Sequence, residues 1–523
     1  MRKSTFALLL AAAVSVPVAG SRKAAEPQFA DSARPKKLAT AFPEIDRIFT
    51  EFARTAHVPG AAWGIVVDGE LAHMGATGIR DVESKAPVDV DTVFRIASMT
   101  KSFTAMAIIK LRDDGKLSLD DPAERFVPEL KQLRYPTTDA PRITVRHLLT
   151  HSAGFPEDNP WGDQQLSESE AELSRMLRAG IPFSNVPGVA YEYSNYGFAI
   201  LGRIVSQVSG QPYEAYVTEN ILKPLGMNST TLHPDKVAPD RLAIGYRWED
   251  ERWKKEPALP HGSFGAMGGM LTSVRDLSRY VSALLDAFPP RDGRETSPIR
   301  RASLREMQQP WRPSLMRVVR DSSTNATHLT STGYGYGLSV TQTCEFRAIV
   351  AHGGGLPGYG SLMRWLPDYG VGIIAFGNLT YTGWGRVVGE AIDSLNRTGG
   401  LQARAVVPSD ELSAASKSVT NLVLKWDDAL ADRIAAENLF MDRSKARRRQ
   451  EIDDLRAKVG TCSPSRGFDV VENALRGQWT IPCERGALQL SITLAPTMPP
   501  LVQYMSVREA PPKPQPPGVC TVF

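Results

Sequence analysis

The chain has 523 residues, 42% of them hydrophobic and 23% charged, with 61 basic against 57 acidic side chains. A net charge of +4 over that length gives no field strong enough to hold nucleic acid. The composition is that of a globular protein and excludes a disordered chain, a collagen or a coiled coil.

Arg2 and Lys3, the apolar run Phe6–Val16 and the small residues Val18, Ala19 and Gly20 form the pattern of a secretory signal peptide. Residues 1–22 are therefore expected to be removed and the protein exported, to the periplasm or beyond. The longest apolar run in the body, near Val371–Phe376, falls far short of the ~18 residues of a spanning helix, so no membrane span is expected. Phe42, Ile45, Ile48, Phe49 and Phe52 have helical spacing over Ala41–His57. Ala62–Val67 and Leu71–Ala76 flank Asp68-Gly69, a strong hairpin signal. From Ser98 to about Ala287, helical patterns alternate with Pro/Gly loops. Strands are predicted at Tyr334–Thr341, Arg347–His352, Ser361–Leu366 and Val371–Phe376, and a helix at Gly383–Asn396.

A terminal helix, a hairpin, a helical insert, antiparallel strands and a closing helix predict one α+β domain over residues 40–400 whose two ends share a sheet. After Gly399-Gly400 the composition shifts. Asp410–Ala457 is charged and helical, short strand-like segments run from Gly467 to Arg508, and Pro511–Pro517 should be extended. These define a small C-terminal α+β domain over 408–523. Its basic run Arg443–Arg449 reads as a solvated helix face. In an exported protein Cys462 and Cys483, close in sequence, are expected to form a disulfide, and Cys344 with Cys520 is a second possible pair. No Cys/His spacing suits a structural metal, and none is expected.

The chemistry is expected at three places. Ser98 and Lys101 are three apart at the start of a predicted helix, so they share a face. A serine hydroxyl becomes a nucleophile when a base takes its proton, and a lysine can be that base when burial leaves it uncharged. At the first turn the Ser98 N–H is also free to donate to an oxyanion. Tyr193 and Asn195 enter the helix Phe198–Val208, where a phenol can shuttle a proton and an amide can hold both lysine and substrate. His352, Gly353, Gly354 and Gly355 end a strand. The glycines admit a substrate backbone, and the Gly355 N–H is a second oxyanion donor. The run also matches a dinucleotide fingerprint, which needs a helix next, whereas a strand follows. His147 and His151 lack the glutamate of a zinc helix motif and read as structural.

In this order the three motifs resemble the serine β-lactamase and penicillin-binding protein superfamily, in its class C β-lactamase, D,D-carboxypeptidase and esterase branch. The resemblance covers roughly residues 40–400, including Ile143–Gly154 and Gly268–Asp276. It implies a β-lactamase-like antiparallel sheet of five or more strands flanked by helices, with a helical insert. It also implies Ser98 as nucleophile, Lys101 and Tyr193 as proton-transfer pair, Asn195, His352, Gly353 and Gly354 as substrate-binding, and the N–H groups of Ser98 and Gly355 as oxyanion hole. Either Lys101 or Tyr193 can be the acylation base. One departure matters: His352 stands where β-lactamases of this branch carry lysine. A histidine of ordinary pKa, ~6.5, is mostly neutral at pH 7 but largely charged at pH 5.5. The expected function is an exported serine hydrolase acting on a small-molecule or peptide ester or amide, without cofactor, and weak toward β-lactams. The alternative is a non-catalytic module that keeps the pocket to recognise a cell-wall polymer or protein. The oligomeric state is left open.

Overall fold

The computed structural model describes residues 28–320, 327–464 and 467–511. The expected signal peptide, most of the proline-rich tail, and Cys520 with its pairing to Cys344 lie outside the described residues.

Helix α1 (Phe42–Thr55) starts with Pro43, whose missing N–H costs nothing there, and buries Ile45, Phe49 and Ala53 at four-residue spacing. Strands β1 (Gly60–Val67) and β2 (Glu70–Asp81) turn through Asp68 and Gly69, both at positive φ (53° and 86°), the predicted two-residue hairpin. Strand β3 (Ala86–Pro87) adds to β2. The insert contains α2 (Thr100–Asp113), α3 (Asn195–Ser209) and α4 (Val274–Asp286). Strands β4 (Arg312–Arg320), β5 (Thr327–Tyr334), β6 (Ser339–Gln342), β7 (Ile349–Leu356), β8 (Tyr359–Leu366) and β9 (Val371–Gly377) follow, and α5 (Gly385–Arg397) closes the domain.

These strands form one 9-stranded antiparallel sheet in the order β3-β2-β1-β9-β8-β7-β6-β5-β4, so the first and last parts of the domain meet at β1 and β9 as expected. Both strands are buried throughout, and alternate residues serve different cores. Ala62, Val66, Ile374 and Phe376 join α2 and α4, while Trp63, Ile65, Ile373 and Ala375 join α1 and α5. Each large side chain fully buried there contributes ~1.5–3 kcal/mol, which makes this three-layered region the rigid base of the molecule. Helix α2 is buried on nearly every side and runs between the sheet and α3.

Three expectations are corrected. The strand predicted over Tyr334–Thr341 is two strands, β5 and β6, with a turn between them. Gly337 sits there at φ +68°, and a Cβ on it would lie 2.7 Å from the Lys101 carbonyl oxygen. Only glycine fits that approach to α2. Strand β4 was not foreseen, because most of its side chains are exposed and it has no buried stripe to betray it. Strand β7 does not end at His352 but continues through the glycines, paired with β8 as far as Leu356.

The C-terminal unit has its own core, including Leu412, Val419, Ile452, Trp479, Leu490 and Met505. Helices α6 (Asp410–Leu424), α7 (Asp428–Ile434) and α8 (Lys445–Val459) precede an antiparallel sheet of β10 (Val470–Asn473), β11 (Arg476–Cys483), β12 (Gly486–Leu494) and β13 (Val502–Glu509). The expected disulfide joins Cys462 to Cys483 with 3.9 Å between the Cα atoms. In the basic run, Arg443 and Arg447 pair with Glu451 and Lys445 with Asp432. Arg448 departs from the solvated reading: it is buried and donates to the carbonyls of Leu439 and Met505.

Candidate active site

Ser98 sits in a single turn of 3-10 helix, Ala97–Met99, just ahead of α2 rather than within it. Ala97 takes φ +49°, an uncommon conformation for alanine, and the turn around it is braced. The Ile96 N–H donates to the Met270 carbonyl at 3.0 Å, the Thr100 hydroxyl to the Ala97 carbonyl at 2.7 Å, and the Ser361 hydroxyl to the Ile96 carbonyl at 2.8 Å. Ser98 is partly exposed while its neighbours Ala97 and Met99 are buried.

Lys101 is fully buried, and its Nζ lies 3.0 Å from Ser98 Oγ, 2.6 Å from Asn195 Oδ1 and 2.9 Å from the Met267 carbonyl oxygen. An ammonium donates to all three. A neutral amine donates to the two oxygens of Asn195 and Met267 and turns its lone pair to the Ser98 O–H. Burial lowers this lysine from 10.5 to about 7, although Asp163, Asp158 and Glu157 pull the other way. Both forms are therefore populated near neutrality.

Asn195 opens α3 with its amide fixed at both ends, since Nδ2 donates to Asn159 Oδ1 at 2.6 Å. The carboxylate of Asp158 accepts from the N–H groups of Asn195 and Tyr196 at 2.7 and 2.8 Å, and Ser194 Oγ accepts from Gly197 N–H at 3.1 Å. Side-chain oxygens thus satisfy the exposed donors of the helix start. The Tyr193 ring lies 4.8 Å from Lys101 Nζ. Burial holds that phenol well above its ordinary range, so it stays protonated.

His352 is buried in β7. Its Nδ1 donates to the Gly353 carbonyl at 2.6 Å, and its Nε2 accepts from the Tyr334 hydroxyl at 2.9 Å. Burial, with Lys101 nearby, lowers its pKa to about 3. The expectation of a histidine charged at pH 5.5 is therefore wrong: this side chain is a neutral imidazole with both nitrogens occupied. Gly354 meets the Ser98 turn closely, because a Cβ there would lie 2.1 Å from the Ile96 carbonyl oxygen. Strand β6 pairs with β7 only as far as Ala351, so His352–Leu356 lies beyond the paired stretch on that side.

Lys101 thus gathers Ser98, Asn195 and the Tyr193 ring around its ammonium nitrogen, and Gly354 of β7 reaches the Ser98 turn through Ile96. Sequence reasoning did not single out Asp158, Asn159, Asp163, Tyr334 or the Met267 carbonyl. Asp158 and Asn159 look like ordinary loop residues, and a main-chain carbonyl leaves no trace in a sequence. Of the two histidines read as structural, His147 caps its own helix with Thr144. His151 instead lies against Tyr193, with ring centroids 4.3 Å apart. A groove of about 1190 Å³ beside Glu129, Arg203 and His261 includes none of the residues gathered at Ser98.

A profile of the Beta-lactamase family matches residues 45–394. Protein flp of Staphylococcus aureus (strain MW2) is 31% identical over 253 residues, 47% of this chain and 49% of its own. Penicillin-binding protein 4* of Bacillus subtilis (strain 168) is 26% identical over 315 residues, 56% of this chain and 62% of its own. The matches thus span about half to three-fifths of these curated relatives' length. Two solved structures share the fold. The octameric penicillin-binding protein homologue from Pyrococcus abyssi has a TM-score of 0.57 at 23% identity, covering 89% of this chain and 95% of its own. EstCE1, a hydrolase with promiscuous acyltransferase activity, has a TM-score of 0.56 at 22% identity, covering 70% of this chain and 100% of its own. With the family profile spanning the whole catalytic sheet and every residue gathered at Ser98, the chain belongs to the Beta-lactamase family of serine hydrolases.

Proposed function

We propose that this protein is an exported hydrolase that cleaves an ester or amide through an acyl-serine intermediate, with peptidase or esterase activity exceeding β-lactamase activity. The observation that carries the reading is the 3.0 Å contact between Ser98 Oγ and a fully buried Lys101 whose other N–H groups are taken by Asn195 and Met267. Lys101, neutral in part at pH 7, takes the Ser98 proton as Oγ attacks the substrate carbonyl. A phenol held protonated by burial cannot be that base, so Tyr193 delivers a proton to the leaving group as the tetrahedral intermediate collapses and is reprotonated by the adjacent Lys101 ammonium, which returns the lysine to its neutral form. Water then attacks the acyl-serine carbonyl, giving a proton to the neutral Lys101, which passes it to the departing Ser98 Oγ and so restores Ser98 O–H and releases the acid. The N–H groups of Ser98 and Gly355 receive the oxyanion, and Asn195, Gly353 and Gly354 border the substrate. His352, neutral and doubly hydrogen-bonded, offers no fixed charge to a substrate carboxylate, which favours neutral substrates over penicillins. The disulfide and the signal-like N-terminus support export.

Fluorophosphonate labelling of the purified protein tests the reading. The wild type should be labelled stoichiometrically and Ser98→Ala not at all, with unchanged circular dichroism. Full labelling of Ser98→Ala, or none of the wild type, would sink it.

A further inference from the structure

His151 has two separate holds on the chain around Tyr193. Its carbonyl oxygen accepts from the Glu192 N–H at 2.8 Å, and its ring Nδ1 accepts from the Ser194 N–H at 3.1 Å. The residue between those two, Tyr193, is thereby pinned on both sides by one residue. The two rings also touch, tilted 35° with centroids 4.3 Å apart, and Tyr334 packs on the imidazole at 4.5 Å. That same Tyr334 donates to His352, so one contact chain joins the Tyr193 loop to strand β7.

Three features set His151 apart from an ordinary core histidine. It is 2% exposed, yet Nε2 meets no hydrogen-bond partner among the described residues. It holds φ +52°, in the left-handed region that few residues other than glycine adopt and in which asparagine, aspartate and histidine are the commonest exceptions. The ionisable groups around it are Tyr191, Tyr193, Tyr334, His352 and Lys101, all belonging to or bordering the site. With Nδ1 accepting, the neutral ring carries its proton on Nε2.

We infer that His151 is a positioning residue whose Nδ1 and backbone carbonyl hold the Tyr193 ring in place beside Lys101. The inference rests on the reading of Tyr193 as proton donor given above. The atom that matters is the acceptor at the Nδ1 position, which asparagine can supply in the same left-handed backbone and glutamine, one carbon longer, cannot.

The test uses the full chain and ethyl butyrate followed by acid release, because its alkoxide leaving group needs a proton, comparing His151→Asn, His151→Gln, Tyr193→Phe and the double variant His151→Gln/Tyr193→Phe. His151→Gln should lower kcat by roughly 10–100-fold with KM within about twofold, and His151→Asn should recover to within about fivefold of wild type. In the Tyr193→Phe background His151→Gln should cost no more than about twofold, because residues acting as a unit are not additive. Equal losses in the Asn and Gln variants, wild-type kcat in both, or an undiminished Gln effect in the Tyr193→Phe background would overturn the inference while leaving Tyr193 in its role. Wild-type kcat in Tyr193→Phe alone overturns that role and the inference with it.

Discussion

If burial makes Lys101 the base that activates Ser98, the rate of acylation must follow the fraction of that lysine in the neutral form. A lysine in water, at ~10.4, is neutral in only about four parts in ten thousand at pH 7. Burial moves Lys101 to about 7, where roughly half is neutral, a gain of about a thousandfold. The sign is fixed: the neutral form grows as pH rises, so kcat/KM should climb below pH 7 and level off above it. Between pH 6 and pH 8 the neutral fraction rises about tenfold for a midpoint at 7, but about a hundredfold for an unshifted lysine. Asp163 is the strongest of the opposing influences, because its carboxylate favours the ammonium. Asp163→Asn keeps an oxygen for the Tyr381 hydroxyl, which donates to Asp163 at 2.9 Å, while removing the charge. It should move the acid limb to lower pH. Initial rates with a neutral nitrophenyl ester from pH 5 to 9, corrected for the uncatalysed reaction, give both midpoints. A profile still rising hundredfold between pH 6 and 8, or a limb moved to higher pH by Asp163→Asn, would refute the assignment of Lys101 as base.

Four further outcomes are expected. Because His352 stays neutral down to about pH 3, the ratio of kcat/KM for a neutral ester to that for a chromogenic cephalosporin should change less than about twofold between pH 7 and 5.5. His352→Lys should move that ratio about tenfold or more toward the carboxylate-bearing cephalosporin, since a charge-assisted contact is worth ~1.5–3 kcal/mol; a tenfold pH effect in the wild type would contradict the neutral imidazole. Gly354→Ala should cost at least ~10² in kcat, because the added methyl meets the Ile96 carbonyl at 2.1 Å and must push the Ser98 turn, whereas at Gly355 it meets the Tyr381 ring at 2.6 Å and that ring can swing away. Equal rates in the two glycine variants would show that the β7 approach does not set the Ser98 turn. Cys462→Ala should destabilise the C-terminal unit by about 3 kcal/mol, because the bond closes a loop of 21 residues; calorimetry showing no loss would count against the chain-entropy reasoning.

What the sequence made legible was local. Ser98 and Lys101 are three residues apart, Tyr193 and Asn195 two, and the glycines are consecutive, so each group could be read without knowing the fold. The paired ends of the domain were legible too, because a hairpin with Asp68-Gly69 and a late buried strand leave few ways to close a sheet. What stayed hidden came from distance. Asp158 reaches α3 across 37 residues and the Met267 carbonyl reaches Lys101 across 166, with no spacing to announce either. The break between β5 and β6 was missed because Gly337 looks like a strand glycine until α2 is placed beneath it. The charge of His352 was misjudged for a related reason: the residue type carries its ordinary pKa in the sequence, and only burial removes it.

That misjudgement leads to a more general property of the site. The same burial that frees the Lys101 amine keeps His352 unprotonated and Tyr193 and Tyr334 as phenols. Near pH 7 these groups can therefore all be uncharged before substrate arrives, and if Lys101 is the base the first charge to appear there is the ammonium formed when it takes the serine proton. Asn195 Oδ1 and the Met267 carbonyl are already in place to receive it, and Asp158, Asp163 and Glu157 favour it from further away. In the molecules whose Lys101 is neutral these groups would stabilise a charge that forms as the proton moves, and in the others they favour the resting ammonium. A fixed cation at position 352 would oppose that ammonium while attracting a substrate carboxylate. On this reading the histidine lowers the barrier for neutral esters and amides and gives up the attraction that penicillin recognition needs.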